Sequence, residues 1–473
     1  MFAHKLQPLL RWGITLRSTS PVGNAATSAA YALSLQNYLE FKSFSSLNKG
    51  VPLMNNIGGY PHGPAAFVFD IDGVLLHGRE VLPSAIEAVN KLVDRRTGAW
   101  RYPVVFMTNG GGTTESKRAE QLSNFLGVRV RTDQVLLAHT PMKGLVHELG
   151  DHPVLISGKG DVSNVAKLYG FNKAVHTRQL GAAIPLATPF TKYDGDKSRM
   201  NGSNKSVREE GVSGGHPTEK TSSLTSQADL GTETSPFRAV LVMTDPDEWY
   251  RDLQLILDVV SGAGVPGRSI AEVPAGTAPV PVYYSAGDLV WANGFPTNRL
   301  GQGAFAEMVD HMYKLVHGQS LPYVKFYGKP HPEPYRMAER LLLEQARELN
   351  LIPQDHSLFK ASDTEFKAVL EAMENSVHLS SKSCSSESSH DSTTIPPLPF
   401  SGIFAIGDNP SSDICGANNA GSPWVSILVH TGVFRGPGKN CSKHAAQVAV
   451  SNVFHAVEAA LHRARNSRWH SMR

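Results

Sequence analysis

AAFVFDIDG, residues 65–73, is an unbroken apolar run that ends abruptly in two aspartates and a glycine. A strand without polar alternation is typical of a parallel sheet, whose strands are buried on both faces. Pro83 then begins a helical pattern, and a second apolar run from Val104 to Met107 follows it. A strand, a helix and a strand at this spacing indicate a right-handed crossover unit. The sequence therefore predicts an α/β fold built around a parallel sheet.

Asp70 and Asp72 lie two positions apart, immediately after this first strand. Residues two apart on an extended chain point to the same side, and reacting groups in open α/β sheets gather at the carboxyl ends of strands. One carboxylate of such a pair can attack phosphorus while the other moves the proton of the leaving group. The alternative is a pair of aspartates that only hydrogen-bond a turn. Taken alone, the pair leaves both interpretations open.

Two further segments carry groups suited to a phosphate. The turn Thr108-Asn109-Gly110 follows the second strand and offers a hydroxyl, an amide and backbone N–H groups. Lys329, before Pro330, supplies a positive charge that can offset negative charge developing on a transferred phosphoryl group. Each feature is weak by itself, because such turns and loop lysines are common.

Asp408 and Asp413 follow another apolar strand, Phe404-Ala405-Ile406. Magnesium prefers hard oxygen ligands and keeps several waters, so a few carboxylates from separate loops are enough to bind it. Asp408 is thus a candidate metal ligand beside Asp70, and Asp413 is a candidate ligand or a support for one. Asp413 is also suited to cap the N-terminus of a helix, which would not exclude the first role.

Taken in chain order, D-x-D-G, T-N, K-P and G-D-x-x-x-x-D resemble the four motifs of the haloacid dehalogenase superfamily. The resemblance implies that the nucleophile, the acid–base group and the charge stabiliser are Asp70, Asp72 and Lys329. It implies that phosphate is bound by Thr108, Asn109 and Gly110. It implies a Mg²⁺ site formed by Asp70, Asp72 (through its main-chain carbonyl), Asp408 and Asp413.

The resemblance also implies a Rossmann-like core, a parallel sheet flanked by helices, with an inserted α/β cap of the C2 type found in subclass IIA. We expect the core to comprise residues 62–138 and 302–465 and the cap to comprise residues 139–301. Two polar, Ser-rich stretches, residues 191–236 and 376–397, cannot bury enough apolar surface to fold and are predicted to be disordered insertions.

Several segments narrow the resemblance to the cat eye syndrome critical region protein 5 branch of this subclass. They are Phe106 to Gln121, His139-Thr140-Pro141, Gly301 to Phe305 and Gly328-Lys329-Pro330. The substrate of that branch is poorly defined, and some relatives carry names from glycerophospholipid synthesis.

The composition limits the classes of partner. A formal net charge of +3 over 473 residues, with no basic stripe, gives no support for nucleic-acid binding. No apolar run approaches the roughly 18 to 20 residues that a transmembrane helix needs. The three cysteines are scattered along the chain, so the sequence indicates neither a disulfide framework nor a zinc site. A small phosphorylated substrate is therefore the expected partner, and homo-oligomerisation is left open.

The N-terminal segment has a composition of its own. Residues 1–39 contain no Asp or Glu, whereas Lys5, Arg11 and Arg17 lie among Ser, Thr, Ala and Leu. This composition favours a mitochondrial transit peptide over residues 1–45, and hence a place in the matrix. The alternative is an unstructured tail without a targeting role.

We therefore expect a Mg²⁺-dependent phosphohydrolase that acts on a small phosphate monoester through an aspartyl-phosphate intermediate. Two alternatives stay open: a protein linked to mitochondrial glycerophospholipid metabolism, and a non-catalytic module that binds a phosphorylated metabolite. The combination of Asp70, Asp72, Lys329 and Asp408 argues against the module, because a protein that only binds its ligand does not need a nucleophile.

Overall fold

The computed structural model describes residues 63–193, 231–353, 398–435 and 438–470, all within one compact unit that spans residues 58–473. The expected transit peptide at residues 1–45 and the expected insertion at 376–397 lie outside the described residues, as does most of the insertion expected at 191–236. Among the described residues, none of the helices has the length and apolar character needed to cross a membrane.

The described strands, in chain order, are β1 (Ala65–Phe69), β2 (Leu76–His77), β3 (Glu80–Val81), β4 (Val104–Met107), β5 (Val135–Leu136), β6 (Val154–Ser157), β7 (Ala174–His176), β8 (Ala239–Val242), β9 (Val282–Tyr284), β10 (Val290–Trp291), β11 (Arg299–Leu300), β12 (Val324–Phe326), β13 (Gly402–Gly407), β14 (Trp424–Val429) and β15 (Val448–Val450). The described α-helices are α1 (Pro83–Asn90), α2 (Glu115–Leu126), α3 (Val146–Leu149), α4 (Val162–Tyr169), α5 (Thr177–Ala183), α6 (Trp249–Ser261), α7 (Gln302–His317), α8 (Pro332–Glu348), α9 (Cys415–Ala420) and α10 (Val453–His470).

Two fully parallel sheets organise these elements. The first has the strand order β15-β14-β13-β1-β4-β5, and the second has the order β12-β9-β8-β6-β7. Helices cover both faces of the first sheet, as in the Rossmann-like core of haloacid dehalogenase-type folds. The predicted α/β class with an added α/β domain is confirmed.

The apolar run of β1 is explained by its position at the centre of the first sheet, between β13 and β4. Its odd-numbered residues, Phe67 and Phe69 among them, pack in one core with helices α1, α2 and α10. Its even-numbered residues, Ala66 and Val68, pack in a second core with helices α8 and α9. Because successive side chains of a strand point to opposite faces, every position of β1 has to be apolar.

The second sheet extends further along the chain than the sequence suggests. Strand β12 pairs with β9, and helix α7 packs against this sheet through Phe305 and Val309. The chain therefore returns to the first sheet after Phe326, whereas the expected boundary lies between residues 301 and 302. The sequence signal is weak here because β12 is only partly buried and contains Lys325.

A buried polar cluster joins the two sheets through Glu115 of α2. Its Oε1 accepts hydrogen bonds from Thr140 Oγ1 (2.9 Å) and Tyr169 Oη (2.7 Å), and Lys143 Nζ lies 2.8 Å away. Nδ1 of the fully buried His139 lies 2.7 Å from Tyr169 Oη. The tyrosine hydroxyl already donates to Glu115, so Nδ1 has to be the donor in that pair. Burial lowers the pKa of His139 to about 4, against the opposing charge of Glu115.

We expect stability to depend on pH through His139. Between pH 6.5, its ordinary pKa, and about 4, the unfolded chain binds one more proton at this residue than the folded protein does. The free energy of unfolding therefore falls as the pH falls through that window, by up to about 1.4 kcal/mol per pH unit. In urea denaturation at pH 7, 6 and 5, His139→Gln should have a shallower pH dependence than the wild type. The same change at the exposed His311 should leave the slope unchanged, and equal slopes in all three proteins would contradict the assignment.

Candidate active site

Three neighbouring strands deliver polar groups to one edge of the first sheet. Asp70 follows β1, Thr108 follows β4, and Asp408 follows β13, and these strands lie side by side with β1 in the middle. Because all three are parallel, their carboxyl ends meet at the same edge. All eight predicted site residues line one cavity there: Asp70, Asp72, Thr108, Asn109, Gly110, Lys329, Asp408 and Asp413.

Lys329 is the centre of the hydrogen-bond network. Its Nζ donates to Asp70 Oδ1 (2.5 Å), Asp413 Oδ1 (2.6 Å) and the carbonyl oxygen of Met107 (3.0 Å). The lysine and both carboxylates are buried. Lys329 follows β12 at the edge of the second sheet, so the second sheet supplies the cation and the first sheet supplies the acids.

Asp408 is held in a narrow space. Its Oδ2 accepts a hydrogen bond from the main-chain N–H of Val433 (2.6 Å). Gly73 and Gly432 lie against the same carboxylate, and a Cβ added to either one would overlap it. Gly73 also has a left-handed backbone, with φ at +87°, which favours glycine. The glycine in the D-x-D-G motif is therefore required both by the turn and by the approach of Asp408.

Asp413 lies in a short π-helical turn, Pro410–Ile414. Its Oδ2 accepts a hydrogen bond from the main-chain N–H of Asn409 (3.0 Å), while its Oδ1 binds Lys329. The residue that caps this turn is Asn409, whose Oδ1 accepts from the N–H of Ser411 (3.0 Å). The alternative role of Asp413 as a helix N-cap is therefore wrong, since both of its oxygens are used elsewhere.

Lys329 alone does not balance the charge of the three carboxylates when all of them are ionised. Ligand oxygens of Asp70, Asp408 and Asp413 lie within 4.8 Å of one another. Lys329 is the cation in contact with Asp70 and Asp413, so the fully ionised cluster would carry two negative charges in excess. Buried hard oxygen ligands with this excess suit a divalent cation such as Mg²⁺.

Burial and mutual repulsion act on the proton affinities of this cluster. Burial raises the pKa of Asp408 to about 8, and the charge of Asp413 adds to the rise. Burial also raises the pKa of Asp70, although Lys329 opposes this. Burial alone would lower the pKa of Lys329, but the charges of Asp413 and Asp70 outweigh it and raise the pKa. The lysine is therefore charged, and a nearby cation would favour the ionised form of Asp408.

The predicted phosphate-binding turn has two different kinds of side chain. Thr108 Oγ1 accepts from the N–H of Gly110 (2.9 Å) and lies 3.3 Å from Asp72 Oδ2, so it faces the acid pair. Asn109 Nδ2 donates to Asp288 Oδ2 (2.8 Å) and to the carbonyl oxygen of Lys329 (2.9 Å), while its Oδ1 accepts from the N–H of Lys329 (2.9 Å). Both amide hydrogens of Asn109 are committed, so the side chain positions Lys329, and only its main-chain N–H is available to a phosphate.

Asp288 is a site residue that the sequence analysis missed. It follows β9 of the second sheet, lines the cavity, and accepts hydrogen bonds from Asn109 Nδ2 and from Asn409 Nδ2 (3.3 Å). Burial raises its pKa to about 6, against the opposing hydrogen bond from Asn109. A signal was present, because Asp288 comes shortly after an apolar strand, as Asp70 and Asp408 do. The sequence does not reveal, however, that this strand of the second sheet ends at the same cavity as the strands of the first.

Two family models and a yeast relative match this chain, and all three are described as hydrolases. The sequence model of a family described as haloacid dehalogenase-like hydrolase matches residues 67–172, and a model described as HAD-hydrolase-like matches residues 326–453. A Saccharomyces cerevisiae protein named mitochondrial hydrolase YKR070W is 32% identical over 397 residues, which are 84% of this chain and 95% of that protein.

Two further proteins resemble this chain, one in sequence over about half of its own length and one in fold over nearly all of it. A Schizosaccharomyces pombe protein named cardiolipin synthase (CMP-forming) / mitochondrial hydrolase fusion protein is 31% identical over 404 residues, which are 85% of this chain and 54% of the fusion protein. A crystal structure of a hypothetical protein from Pyrococcus horikoshii OT3 covers 84% of this chain and 99% of its own, with 16% identity and a TM-score of 0.45. The narrower resemblance to the cat eye syndrome critical region protein 5 branch stays a prediction.

We expect Asp288→Ala to loosen two loops at once, because its carboxylate binds Asn109 in one loop and Asn409 in the other. Loss of charge-assisted hydrogen bonds of about 1.5–3 kcal/mol each should raise amide hydrogen exchange about tenfold or more in residues 108–112 and 409–413. The control is Asp151→Ala, which removes the acceptor of Asn172 Nδ2 at an exposed position and should change neither loop. Faster exchange in only one loop would contradict the bridging role.

Proposed function

Because the chain belongs to the haloacid dehalogenase-like hydrolase family, we propose that it is a Mg²⁺-dependent phosphohydrolase that cleaves a small phosphate monoester. One observation carries the proposal. Lys329 Nζ lies between Asp70 and Asp413, with Asp408 close by, at the carboxyl end of the central strands. Strongly perturbed ionisable groups gathered in a cavity are typical of a reaction centre.

In the proposed reaction Asp70 is the nucleophile. A carboxylate oxygen of Asp70 forms a bond to phosphorus as the bond from phosphorus to the leaving oxygen breaks, which gives an aspartyl-phosphate and an alcohol. Asp72 gives its proton to the leaving oxygen. Water then attacks the phosphoryl group, Asp72 takes a proton from that water, and inorganic phosphate leaves Asp70. Asp72 suits this role because it is only partly buried and lines the same cavity.

The remaining groups hold the phosphoryl oxygens and the nucleophile. Lys329 keeps a fixed positive charge beside Asp70 and compensates charge that develops on the transferred group. Thr108 and the main-chain N–H of Asn109 provide hydrogen-bond donors at the neighbouring strand end, and the N–H of Gly110 orients the Thr108 hydroxyl. These groups are already oriented by their own hydrogen bonds, so little reorganisation is needed during the reaction.

We assign the magnesium site to Asp70, Asp408 and Asp413, with the main-chain carbonyl of Asp72. The three buried carboxylates and their excess negative charge fit a divalent cation. When bound, Mg²⁺ would act as a Lewis acid that neutralises charge on the phosphate. The second sheet with its helices would be the cap, which excludes water from this edge of the first sheet and selects the substrate.

A second candidate function has support from one comparison. In the Schizosaccharomyces pombe fusion protein, a mitochondrial hydrolase is joined to a cardiolipin synthase. We therefore keep a role in mitochondrial glycerophospholipid metabolism, with an ester of the glycerol-phosphate type as substrate. This candidate shares the chemistry proposed above and differs only in the leaving group.

Asp70→Asn tests the hydrolase. In a panel of phosphate monoesters that includes p-nitrophenyl phosphate and glycerol 3-phosphate, it should lower the phosphate-release rate by about 10⁴-fold or more, because an amide is a poor nucleophile. Removal of Mg²⁺ should abolish wild-type turnover. The control is Asp151→Asn, at an exposed position, which should retain full activity. Equal rates of phosphate release by the wild type and Asp70→Asn on every ester would refute the hydrolase proposal and favour a module that only binds a phosphorylated metabolite.

A mitochondrial location is tested by removing the N-terminal segment. Two relatives are named mitochondrial hydrolases, and residues 1–39 of this chain contain no acidic residue. We expect a fluorescent fusion of the full chain to enter the matrix and the same fusion without residues 1–45 to stay outside. A second variant keeps the full length but replaces Lys5, Arg11 and Arg17 by Gln. It should also impair import, because the positive charges of the segment are then lost. Unchanged import of the shortened chain would refute the transit peptide.

A further inference from the structure

The cavity that holds the acidic cluster also contains cations that the proposed chemistry does not use. Its volume is about 210 Å³, and Arg118 of α2 and Lys159 of the loop after β6 both line it. Trp291 of β10 also lines it. Arg118 lies on a helix that packs against the first sheet, and Lys159 follows a strand of the second, so both parts of the fold bring positive charge to this cavity.

Lys159 is fixed in position by its surroundings. Its main-chain N–H donates to the carbonyl oxygen of Asp245 (2.9 Å), and its Nζ lies 3.1 Å from Asp245 Oδ2. The Nζ also lies over the ring of Trp291, 5.5 Å from the centroid, within the range of a cation–π contact. The N–H of Asp161 donates to the carbonyl oxygen of Gly112 (2.9 Å), so this loop is attached to the proposed phosphate-binding turn.

Arg118 differs from the other cations of the cavity. Lys329 is compensated by Asp70 and Asp413, and Lys159 is compensated by Asp245. The Nε of Arg118 is buried and has no hydrogen-bond partner among the residues that the structure describes. A buried donor without a partner costs free energy, about 1–3 kcal/mol and more for a charged group. An anion bound at this wall would bring the guanidinium an opposite charge.

Resting on the proposed function, we propose that Arg118 and Lys159 form a second anion subsite, and that the substrate is a phosphate monoester with a second anionic group. That group is a carboxylate or another phosphate, both of which match the guanidinium of Arg118 in two-point hydrogen bonding. The carbon skeleton between the two anions lies against Trp291.

The size of the cavity limits this substrate to a small metabolite. About 210 Å³ is below the roughly 300–1,000 Å³ of pockets that enclose drug-sized ligands. A cavity of this volume admits a phosphate, a second anionic group and a short carbon chain between them. A neutral ester of equal size would offer Arg118 no opposite charge.

Binding to pairs of esters that differ only in the second charge tests the subsite. In an Asp70→Asn background with Mg²⁺, calorimetry compares 3-phosphoglycerate with glycerol 3-phosphate, and propane-1,3-diol bisphosphate with 3-hydroxypropyl phosphate. We expect the acidic member of at least one pair to bind about tenfold to a hundredfold more tightly. The pair with the larger ratio identifies the second group as a carboxylate or as a phosphate.

Variants then assign that preference to Arg118. Arg118→Gln should reduce the ratio to within about twofold while the neutral ester keeps its affinity, and Arg118→Lys should restore part of it. Lys159→Gln should reduce the ratio to a smaller extent. The matched control for Arg118 is Lys117→Gln on the same helix, and the matched control for Lys159 is Lys167→Gln on the next helix, α4. Each removes an exposed positive charge and should leave the affinity ratio unchanged.

Two results would overturn the subsite: equal affinities within both pairs, or a loss in Arg118→Gln that is the same for acidic and neutral esters. The proposed function fails in a different way. If the wild type hydrolyses none of these esters and no p-nitrophenyl phosphate, yet the acidic preference depends on Arg118, then the subsite stands and the hydrolase proposal does not.

Discussion

The contact of the Lys329 ammonium group with Asp70 and Asp413 is the interaction on which the site depends. Without it, two buried carboxylates would face each other and Asp408 with no compensating charge. Such a cluster adds little to stability, because the cost of removing charges from water offsets much of their attraction, and apolar replacements of similar volume are often neutral or stabilising. Its presence at the end of a central strand is therefore better explained by chemistry than by folding.

Parallel strands explain how remote parts of the chain reach this point. β13, β1 and β4 are adjacent, so residues more than three hundred positions apart in sequence meet at one edge. The second sheet repeats the arrangement, since Asp288 follows β9 and Lys329 follows the adjacent β12. Both sheets thus direct the ends of neighbouring strands towards one cavity, which is why the site contains residues from each.

The motifs at the ends of the core strands could be predicted from the sequence because each follows a strongly apolar run. β1 and β4 coincide with the apolar runs at residues 65–69 and 104–107 for this reason, and the α/β fold followed from them. Asp288 could not be assigned in the same way, because its partners Asn109 and Asn409 are set by the packing of the two sheets. The sequence gives little sign of β12, because this strand is short, only partly buried and contains a lysine. The sequence suggests that Asn109 binds phosphate. Its side chain instead hydrogen-bonds the main chain of Lys329, a contact that only the tertiary structure reveals.

The two residues that the second sheet contributes are held differently, and this bears on how the cap could act. Lys329 is bound through its main chain to Asn109 and through its Nζ to Asp70, so it is fixed to the first sheet although it follows a strand of the second. Asp288 is fixed to the second sheet, because its carbonyl oxygen accepts the N–H of Gly303 at the start of α7 (3.0 Å). Lys329 thus contacts the first-sheet loops through both its main chain and its ammonium group, whereas Asp288 contacts them through its carboxylate alone. Lys329 therefore compensates the charge of Asp70, the proposed nucleophile, while Asp288 connects the two loops that carry Asn109 and Asn409.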